Sequence, residues 1–472
     1  MLYIPPVRSL WLEEALDEAD DAPALEGHEH ADVCIVGGGY TGLWTAIRLK
    51  EQDPALDVVL VEGDVCGGGA SGRNGGFVLS WWAKFGSLKK VCGGEEAVRL
   101  ARASAEAVDG LGAFCAEYGI DARYRRDGWL WAATNAAQLG AWEGTQATIA
   151  AYGEQPFQRL DPAEVARRAG EATHLAGVFE PTAATVQPAL LARGLRRVAL
   201  ERGVRLFEKS PMTKLARSRP PRVVTAGGEV TAAKIVLALN AWAAALPELR
   251  RALVVIASDI VATEPAPDRL AAIGWTDGSC ISDSRMLVNY YRTTLDGRLV
   301  FGRGGGKLAF GGNVGTAFDG ASPRAEAVAR SMRGLYPSLR DLPVTHSWMG
   351  PIDRTQVGLP FFSRLGGRDD IVYGLGYSGN GVGPTYLGGR ILASLALGLD
   401  DEWSRAGLVR EPVGRFPPEP LRYLGGRLVR RAVERKEEAE DSGGRADRVT
   451  LLLADLAPSG LVPLKKAQAT SA

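Results

Sequence analysis

Three glycine-rich segments are the parts of this sequence best suited to surround a bound group. They read VGGGYTG at 36–42, GGGASGRNGGF at 67–77 and GYSGNGVGPTYLGGR at 376–390. Glycine permits positive φ and lets the backbone approach a ligand closely, and N–H groups at a helix start can bind phosphate. The chain has only four histidines, and its five cysteines lack C-x-x-C spacing, so neither a nucleophilic triad nor a metal site is indicated. We therefore expect chemistry that is carried by a bound organic group and not by a metal.

The first segment has the context that a dinucleotide-binding motif requires. Its G-x-G-x-x-G follows the apolar run VCIV and precedes an amphipathic helix and a second apolar strand. The first glycine permits the tight turn, the second admits a pyrophosphate, and the third lets the helix pack closely. Glu62, at the end of the second strand, can accept hydrogen bonds from ribose hydroxyls and would repel a 2′-phosphate. The motif argues against NADP but leaves NAD and FAD open, and the cofactor-binding residues expected here are Gly37, Gly39, Tyr40, Thr41 and Gly42.

The second segment follows that strand directly, on the sheet edge where such a cofactor lies. Its glycines would let the backbone run beneath a flat ring, and Arg73 and Asn74 would offer side-chain donors to phosphate or flavin. The alternative is a flexible surface loop, but the apolar FVLSWW that follows favours burial. The residues expected at the cofactor here are Gly69, Ala70, Ser71, Arg73, Asn74, Gly75 and Gly76.

Taken together, the three segments resemble the D-amino-acid oxidase/glycine oxidase superfamily of FAD-dependent amine oxidases. The residues ASGRNGG at 70–76 resemble in particular its γ-glutamylputrescine oxidoreductase-like branch, and the likeness extends over roughly residues 8–400. The resemblance implies FAD as the cofactor, a two-domain fold, and oxidation of a C–N bond in an amine or amino acid. Some relatives attach flavin covalently through Cys or His. Because Cys66 lies near the cofactor without their attachment motifs, we expect non-covalent binding.

The resemblance also implies cofactor contacts further along the chain. Met212 stands where relatives often have a valine whose backbone meets the adenine, and Asn240 and Ala241 lie on the cofactor side. The third segment opens a helix, so its N–H groups would face the negative charge of a reduced flavin. Several relatives have histidine at the position of Asn380, which leaves an acid–base role there open. The residues expected at the flavin are Gly379, Asn380, Gly381 and Val382.

Candidate catalytic side chains lie in the hairpin LVNYYRTTLDGRLVFGRGGG, which has a D-G turn. Successive side chains of a strand face opposite sides, so one of Tyr290 and Tyr291 should face the core and the other a cavity. We assign Tyr291 or Arg292 to the cavity.

The segment SWMGPIDRTQVGLPFF supplies two further candidates, Trp348 and Arg354. Arg354 either binds a substrate carboxylate with two hydrogen bonds or anchors its own loop.

The order of elements predicts an α/β protein: a Rossmann-type FAD-binding domain with an inserted antiparallel-sheet substrate domain, the glutathione-reductase-like two-domain oxidase fold. The FAD-binding domain is expected at 30–98, 186–250 and 346–401, and the substrate domain at 99–185 and 251–345. Residues 402–472 are expected to form a C-terminal helical extension and tail, through which the chain could form a homo-oligomer.

Composition and charge exclude several other classes. The 472 residues carry 55 basic and 55 acidic side chains, so no overall field favours nucleic acid or an anionic membrane. The apolar run IVLALNAWAAALP has thirteen residues, too few to cross a bilayer. With no signal-peptide pattern at the N-terminus, a cytoplasmic location is expected.

The predicted reaction is hydride transfer from an amine or amino acid to flavin N5, followed by hydrolysis of the imine and reoxidation by O2 to give H2O2. A flavin dehydrogenase with another electron acceptor is one alternative. An NAD(P)H-dependent monooxygenase is another, but GRGGGKLAFGG at 302–312 follows a hairpin and opens no helix, so a second nucleotide site is not expected. A non-catalytic flavoprotein subunit is a third.

Overall fold

A computed structural model of the chain describes residues 8–17, 22–315 and 318–458. The α-helices are α1 Leu10–Ala15, α2 Tyr40–Gln52, α3 Phe85–Cys92, α4 Gly94–Glu117, α5 Glu143–Ala150, α6 Pro162–Ala169, α7 Pro188–Glu201, α8 Pro267–Ala272, α9 Ala325–Leu335, α10 Pro384–Leu397, α11 Leu421–Asp441 and α12 Arg448–Ala454. The strands are β1 Gly27–Val36, β2 Val58–Val61, β3 Phe77–Val78, β4 Trp129–Ala133, β5 Gln158–Leu160, β6 Ala176–Glu180, β7 Ala184–Thr185, β8 Arg205–Phe207, β9 Lys214–Ala216, β10 Arg222–Val224, β11 Gly228–Leu237, β12 Val254–Thr263, β13 Cys280–Asp283, β14 Asn289–Thr293, β15 Leu299–Arg303, β16 Val344–Arg354, β17 Phe361–Arg364 and β18 Ile371–Leu375.

The nucleotide-type sheet has the strand order β17-β18-β11-β1-β2-β8, with β9 and β10 attached beside β11. β1 pairs in parallel with both β2 and β11, while β17 runs antiparallel at the edge. The apolar runs VCIV and VVLV form buried strands in its centre, as expected for parallel strands covered on both faces. The predicted Rossmann-type α/β arrangement is confirmed.

Two helices bring the first and third glycine-rich segments together. α2 and α10 pack so closely that a Cβ on Gly389 would lie 2.5 Å from the Cβ of Trp44. Both helices begin at the end of a parallel strand and its turn, at the same edge of the sheet. Their N-termini therefore lie at one site.

The second sheet has the order β16-β12-β15-β14-β13-β4-β6-β5 and is antiparallel except for the pair β13–β4. The hairpin β14–β15 turns at Asp296–Gly297, where Gly297 has φ +81°. The longest pairing joins β12 to β16, from Val254 opposite Arg354 to Thr263 opposite Val344. All of β16 thus belongs to this sheet, and the chain rejoins the nucleotide-type sheet only at β17, later than the expected boundary at residue 346.

The C-terminal extension contains α11 and α12, which pack against each other through Ala432, Val433 and Ala454. The expected helix in this extension is therefore present, and residues 459–472 of the predicted tail lie outside the described residues. Within the described ranges, none of the helices combines the length and the apolar character needed to span a bilayer.

Candidate active site

One cavity of about 1070 Å³ joins the three glycine-rich segments. It also reaches the second sheet, where residues of β12, β14 and β16 form part of its wall. The predicted cofactor residues that line it are Gly37, Gly39, Tyr40, Thr41, Glu62, Gly69, Ala70, Ser71, Arg73, Asn74, Gly75, Met212, Asn240, Gly379, Asn380, Gly381 and Val382. The three segments, far apart in sequence, thus form one continuous site.

The first turn is shaped by close backbone approaches. Gly37 has φ +113°, and a Cβ there would lie 2.5 Å from the Ala238 carbonyl oxygen. A Cβ on Gly42 would lie 1.9 Å from the Gly37 carbonyl oxygen and 3.3 Å from Ile35. Gly42 therefore lies outside the cavity wall and acts on the cofactor only by fixing how α2 leaves the turn.

Glu62 lines the cavity and holds the first turn in place. Its Oε2 accepts a hydrogen bond from the Gly38 N–H at 2.6 Å, and its Oε1 accepts one from the Asp64 N–H at 2.9 Å. Burial raises the pKa of this carboxyl to about 7, against the opposing effect of those two N–H donors. A carboxylate at this place can accept further donors without rearrangement of the turn.

In the second segment, the side-chain donors predicted to meet a cofactor are used within the protein. Arg73 lines the cavity, but its Nε donates to the Gly68 carbonyl at 2.9 Å and its Nη1 lies 3.2 Å from Asp319. Asn74 Nδ2 donates to the carbonyl of Ser71 at 2.9 Å and to that of Ala70 at 3.1 Å. These two side chains fix the shape of the loop, because a loop so rich in glycine has few other fixed contacts.

The same loop is tied to its neighbours through small groups. Ser71 Oγ accepts the Tyr40 N–H at 2.9 Å, which joins the second segment to the start of α2. Gly76 has φ +76°, and a Cβ there would lie 2.2 Å from the Val186 carbonyl oxygen. Gly76 therefore turns the chain away from the cavity and does not line it.

Asn380, in the third segment, contributes an unsatisfied polar atom to the cavity. Asn380 lines the wall and is 6% exposed; its Nδ2 donates to the Ser80 carbonyl at 3.2 Å. Its Oδ1 is buried and has no hydrogen-bond partner among the described residues. Because buried polar atoms are normally paired, this oxygen is available to a donor on a bound molecule.

Residues 238–240 and 242, which follow β11, form another part of the wall. Asn240 lines the cavity with φ +45°, and its Oδ1 accepts the N–H of Ala241 at 2.7 Å. Ala241 is fully buried behind it and is not part of the wall. Trp242, which was not predicted from the sequence, also lines the cavity. Its ring lies against Gly69, where an added Cβ would be 3.4 Å from the Trp242 ring.

The assignment of Tyr291 to the cavity is wrong. Its ring is fully buried, stacked on Phe301 at 5.0 Å, and its hydroxyl bonds to His174 Nε2 at 2.6 Å. Tyr290 lines the cavity instead, with its hydroxyl 2.7 Å from Ser258 Oγ. The alternation of side chains along β14 was predicted correctly, but the wrong face of the strand was assigned to the cavity.

Glycines beside Tyr290 explain which tyrosine meets the cavity. A Cβ on Gly302 would lie 2.1 Å from the Tyr290 ring, and one on Gly75 would lie 2.9 Å from it. The ring occupies the space that those two glycines leave. Arg292, on the same face, lies behind the second segment and donates to the Val186 carbonyl at 2.7 Å and the Gly76 carbonyl at 3.3 Å.

Of the other two catalytic candidates, only Arg354 lines the cavity. Trp348 is 1% exposed and donates its Nε1–H to the Arg73 carbonyl at 2.9 Å, so it supports the second segment from behind. Burial lowers the pKa of Arg354 to about 10.

Lys84 has a buried side-chain amine, and its burial was not predicted from the sequence. It is 3% exposed, and its Nζ has no hydrogen-bond partner in the described part of the chain. Burial, with a smaller contribution from Arg354, lowers its pKa to about 7. Nothing in its sequence context distinguishes it from Lys89 and Lys90, which are exposed on α3.

Comparisons with known proteins agree with this geometry. Residues 32–395 match the family described as DAO, FAD dependent oxidoreductase. The chain is similar to gamma-glutamylputrescine oxidoreductase of Escherichia coli, with 32% identity over 402 residues, 84% of this chain and 89% of the relative.

Solved structures of more distant proteins share the fold. Glycine oxidase from Geobacillus kaustophilus has a TM-score of 0.64 at 20% identity, covering 82% of this chain and 100% of that one. L-proline dehydrogenase from P. horikoshii also has a TM-score of 0.64, at 18% identity with 82% and 100% coverage. The extent of the family match and the joined glycine turns together show that the chain belongs to the DAO family of FAD-dependent oxidoreductases.

Proposed function

We propose that this enzyme oxidises the C–N bond of an aliphatic amine and passes the electrons to O2. The observation that carries the proposal is the single cavity that runs from the three glycine turns to the hydroxyls of Tyr290 and Ser258. A cofactor site and a substrate wall that share one cavity allow direct transfer between two bound molecules.

The residues present fit FAD bound without a covalent link. The N-terminus of α2 offers N–H groups and a partial positive charge to the pyrophosphate, and Glu62 offers an acceptor for ribose hydroxyls. The unpaired Oδ1 of Asn380 offers an acceptor to the N–H edge of a flavin ring, and Met212 lines the same cavity, where its backbone would meet the adenine. When bound, FAD supplies the hydride acceptor and, by this proposal, is reoxidised by O2 with release of H2O2.

The chain's own residues bind and orient the amine. We call the part of the cavity that is lined by β12, β14, β16 and the loops 286–288 and 304–305 the substrate half. Leu79, Ile256 and Leu287 exclude water from it, and the paired hydroxyls of Ser258 and Tyr290 supply polar contacts there. Burial raises the pKa of Tyr290 well above its ordinary value, so its hydroxyl stays protonated and donates. Independently of Tyr290, the amine must enter deprotonated, because its lone pair has to be free when the C–H bond breaks. The imine product then reacts with water.

The relative named gamma-glutamylputrescine oxidoreductase makes γ-glutamylputrescine the first substrate to test. Purified protein with its native FAD is mixed anaerobically with γ-glutamylputrescine, glycine, N-methylglycine or L-proline, and flavin bleaching is recorded. Air is then admitted, and H2O2 is measured. We expect rapid bleaching by γ-glutamylputrescine and the release of one H2O2 for each amine molecule oxidised.

The outcomes separate the alternatives. Bleaching without peroxide, but with reduction of an artificial dye, would indicate a dehydrogenase. Absence of bleaching with all four compounds, in protein that holds FAD, would contradict the proposal and favour a non-catalytic role. Bleaching by NADPH alone would indicate a monooxygenase.

We also propose that copies of the chain associate through α11. Its exposed residues include Leu421, Leu424 and Leu428, which follow one another at helical spacing. Sedimentation of the native protein and of Leu424→Glu tests this, because a dimer should dissociate in the variant. Identical monomer mass in both would contradict it.

A further inference from the structure

The C-terminal helices contact the loops that line the substrate half of the cavity. α11 and α12 lie beyond residues 32–395, which match the family, whereas residues 286–288 and 304–305 are part of the cavity wall. We propose that α11 is a structural part of the substrate site, in which Glu437 positions the wall 286–288 and so sets the length of alkyl chain that the cavity admits. The choice of substrate rests on the proposed function, but the positioning does not.

Glu437 holds this wall by its backbone. The side chain is 2% exposed, and its Oε1 accepts the N–H of Leu287 at 2.8 Å. Its Oε2 lies 3.3 Å from Nη2 of Arg303, at the end of β15. A buried carboxylate is tolerated only where donors satisfy it, so the Leu287 N–H and the helix fix each other's position.

The side chain of Leu287 is held by the same helices. It packs in one apolar cluster with Ala432, Val433 and Ala454, and Met286 packs against that cluster. The loop is therefore fastened to the extension twice, by a hydrogen bond and by an apolar contact. Its other side lines the cavity.

Two further contacts lie on the same face of α11. Arg430 Nη1 donates to the Gly306 carbonyl at 3.1 Å, directly after the cavity residues 304–305. Asp441 accepts from Arg285 Nη2 at 2.6 Å. The spacing of 430, 437 and 441 is that of one helical face, so one rigid element holds both loops.

The two loops also touch each other. Gly305 has φ +75°, and a Cβ there would lie 2.4 Å from Cδ2 of Leu287. Any outward movement of Leu287 would thus free space beside 304–305 as well. The wall consists of Met286, Leu287 and Val288, which are apolar and suit the methylene chain of an aliphatic amine.

The first test measures hydrogen exchange in the FAD-loaded full chain. Glu437→Leu removes the acceptor, Glu437→Gln keeps an acceptor oxygen, and Glu438→Leu is the control on the exposed side of the helix. We expect exchange in the peptide containing Leu287 to rise about 10-fold or more in Glu437→Leu and to stay near wild type in the other two. Unchanged protection in Glu437→Leu would overturn the positioning.

The second test measures selectivity for chain length. kcat and KM are determined for γ-glutamylputrescine and for homologues whose diamine is one methylene shorter or two longer. Since one methylene can change kcat/KM by roughly 10–200-fold in a defined pocket, we expect Glu437→Leu to shift the long-to-short ratio toward the long amine by about 10-fold. An equal loss with all three amines would show a purely structural role and contradict the inference, and Glu438→Leu should keep the wild-type ratio.

Arg430→Met provides a second variant in case Glu437→Leu does not fold. It removes the hydrogen bond to the Gly306 carbonyl, and we expect faster exchange at 304–308 and a shift of the same ratio. No change in either readout would overturn the inference. If the wild-type protein oxidises none of these amines, the proposed function fails, while exchange at Leu287 still decides the positioning.

Discussion

The two halves of the cavity are built by different means. The nucleotide half is formed by backbone turns at the edge of a parallel sheet, where Gly37 and Gly42 approach other carbonyls within contact distance. The substrate half is formed by side chains of β12, β14 and β16, and its outer loops are held by α11. The first half depends on the absence of side chains and the second on which way side chains point.

That difference decides how each half responds to mutation. A Cβ added to a close backbone contact has no rotamer that relieves it, so the damage spreads to the turn and the helix behind it. A side chain removed from the substrate wall leaves the backbone in place and changes only local contacts. We therefore expect mutations in the nucleotide half to abolish FAD binding, and mutations in the substrate half to alter selectivity or local stability.

Gly42→Ala should have the largest effect. The new Cβ would lie 1.9 Å from the Gly37 carbonyl oxygen, so α2 or its turn must move and the phosphate site is lost. We expect protein purified without bound FAD and a free energy of unfolding lower by about 3 kcal/mol or more.

The control for Gly42→Ala is Gly86→Ala. Gly86 lies exposed on α3, and a Cβ there would meet no atom within 4 Å. We expect normal yellow colour and a gain in unfolding free energy of about 0.5–1 kcal/mol. Full FAD content in Gly42→Ala would contradict the account of the first turn.

Lys84 tests the burial of charge near Arg354, which lines the cavity. Its pKa of about 7 lies below the ordinary 10.5, so between pH 7 and about 10 the unfolded chain binds a proton here that the folded chain does not. Stability from this residue therefore rises with pH in that window, by at most about 1.4 kcal/mol per pH unit, and has no slope below pH 7. We expect Lys84→Met to remove this rise in urea midpoints measured from pH 7 to 9.

Lys90→Met is the matched control, because Lys90 is exposed on α3. It should keep the wild-type slope. An unchanged slope in Lys84→Met would show that the amine is charged and solvated in the folded protein.

The contrast between the halves also explains what the sequence could predict. The G-x-G-x-x-G turn, Glu62 and the loop at 379–382 meet at one cavity, as the sequence predicted, because local motifs and glycine spacing report backbone geometry directly. Tyr291 was assigned to the wrong face because alternation gives two faces and does not say which one meets a cavity. Only the distant contacts of Tyr290 with Gly75 and Gly302 decide that.

The roles of residues that support the cavity wall from behind could not be predicted from the sequence, for a related reason. Trp348 was expected to meet a ligand, yet its Nε1–H donates to the Arg73 carbonyl, so it supports the second loop from behind. Glu437 lies in a charged helix whose other glutamates look the same, and nothing local marks the one that is buried. Such roles depend on contacts between residues more than a hundred positions apart.

The pH dependence of FAD binding tests the role of Glu62 in the nucleotide half. Burial holds its pKa near 7, whereas ribose hydroxyls that donate to it favour the ionised form. FAD binding should therefore release a proton below pH 7, and the Kd for FAD should fall as pH rises from about 5.5 to 7, by at most about tenfold per pH unit, and level off above.

Titration of apoprotein with FAD across this range measures the slope. Glu62→Gln should flatten it, and Glu26→Gln, at an exposed position, should not. A flat profile in the wild-type protein would mean that Glu62 does not change its charge when FAD binds.

The smallest expected effects come from substitutions of the two neighbouring tyrosines, Tyr290 and Tyr291. These substitutions distinguish the two faces of β14 from each other. Tyr291→Phe leaves His174 without its 2.6 Å partner, so we expect a loss of about 1 kcal/mol in unfolding free energy and unchanged kinetics. Tyr290→Phe removes a hydroxyl from the cavity, so we expect unchanged stability within about 0.5 kcal/mol and kcat/KM for the amine lower by about 3- to 10-fold. Urea unfolding and steady-state kinetics on both variants show which of the two tyrosines meets the substrate. Loss of activity at full stability in Tyr291→Phe, with normal activity in Tyr290→Phe, would mean that Tyr291 and not Tyr290 meets the substrate. That result would contradict the assignment of the Tyr290 face of β14 to the cavity wall.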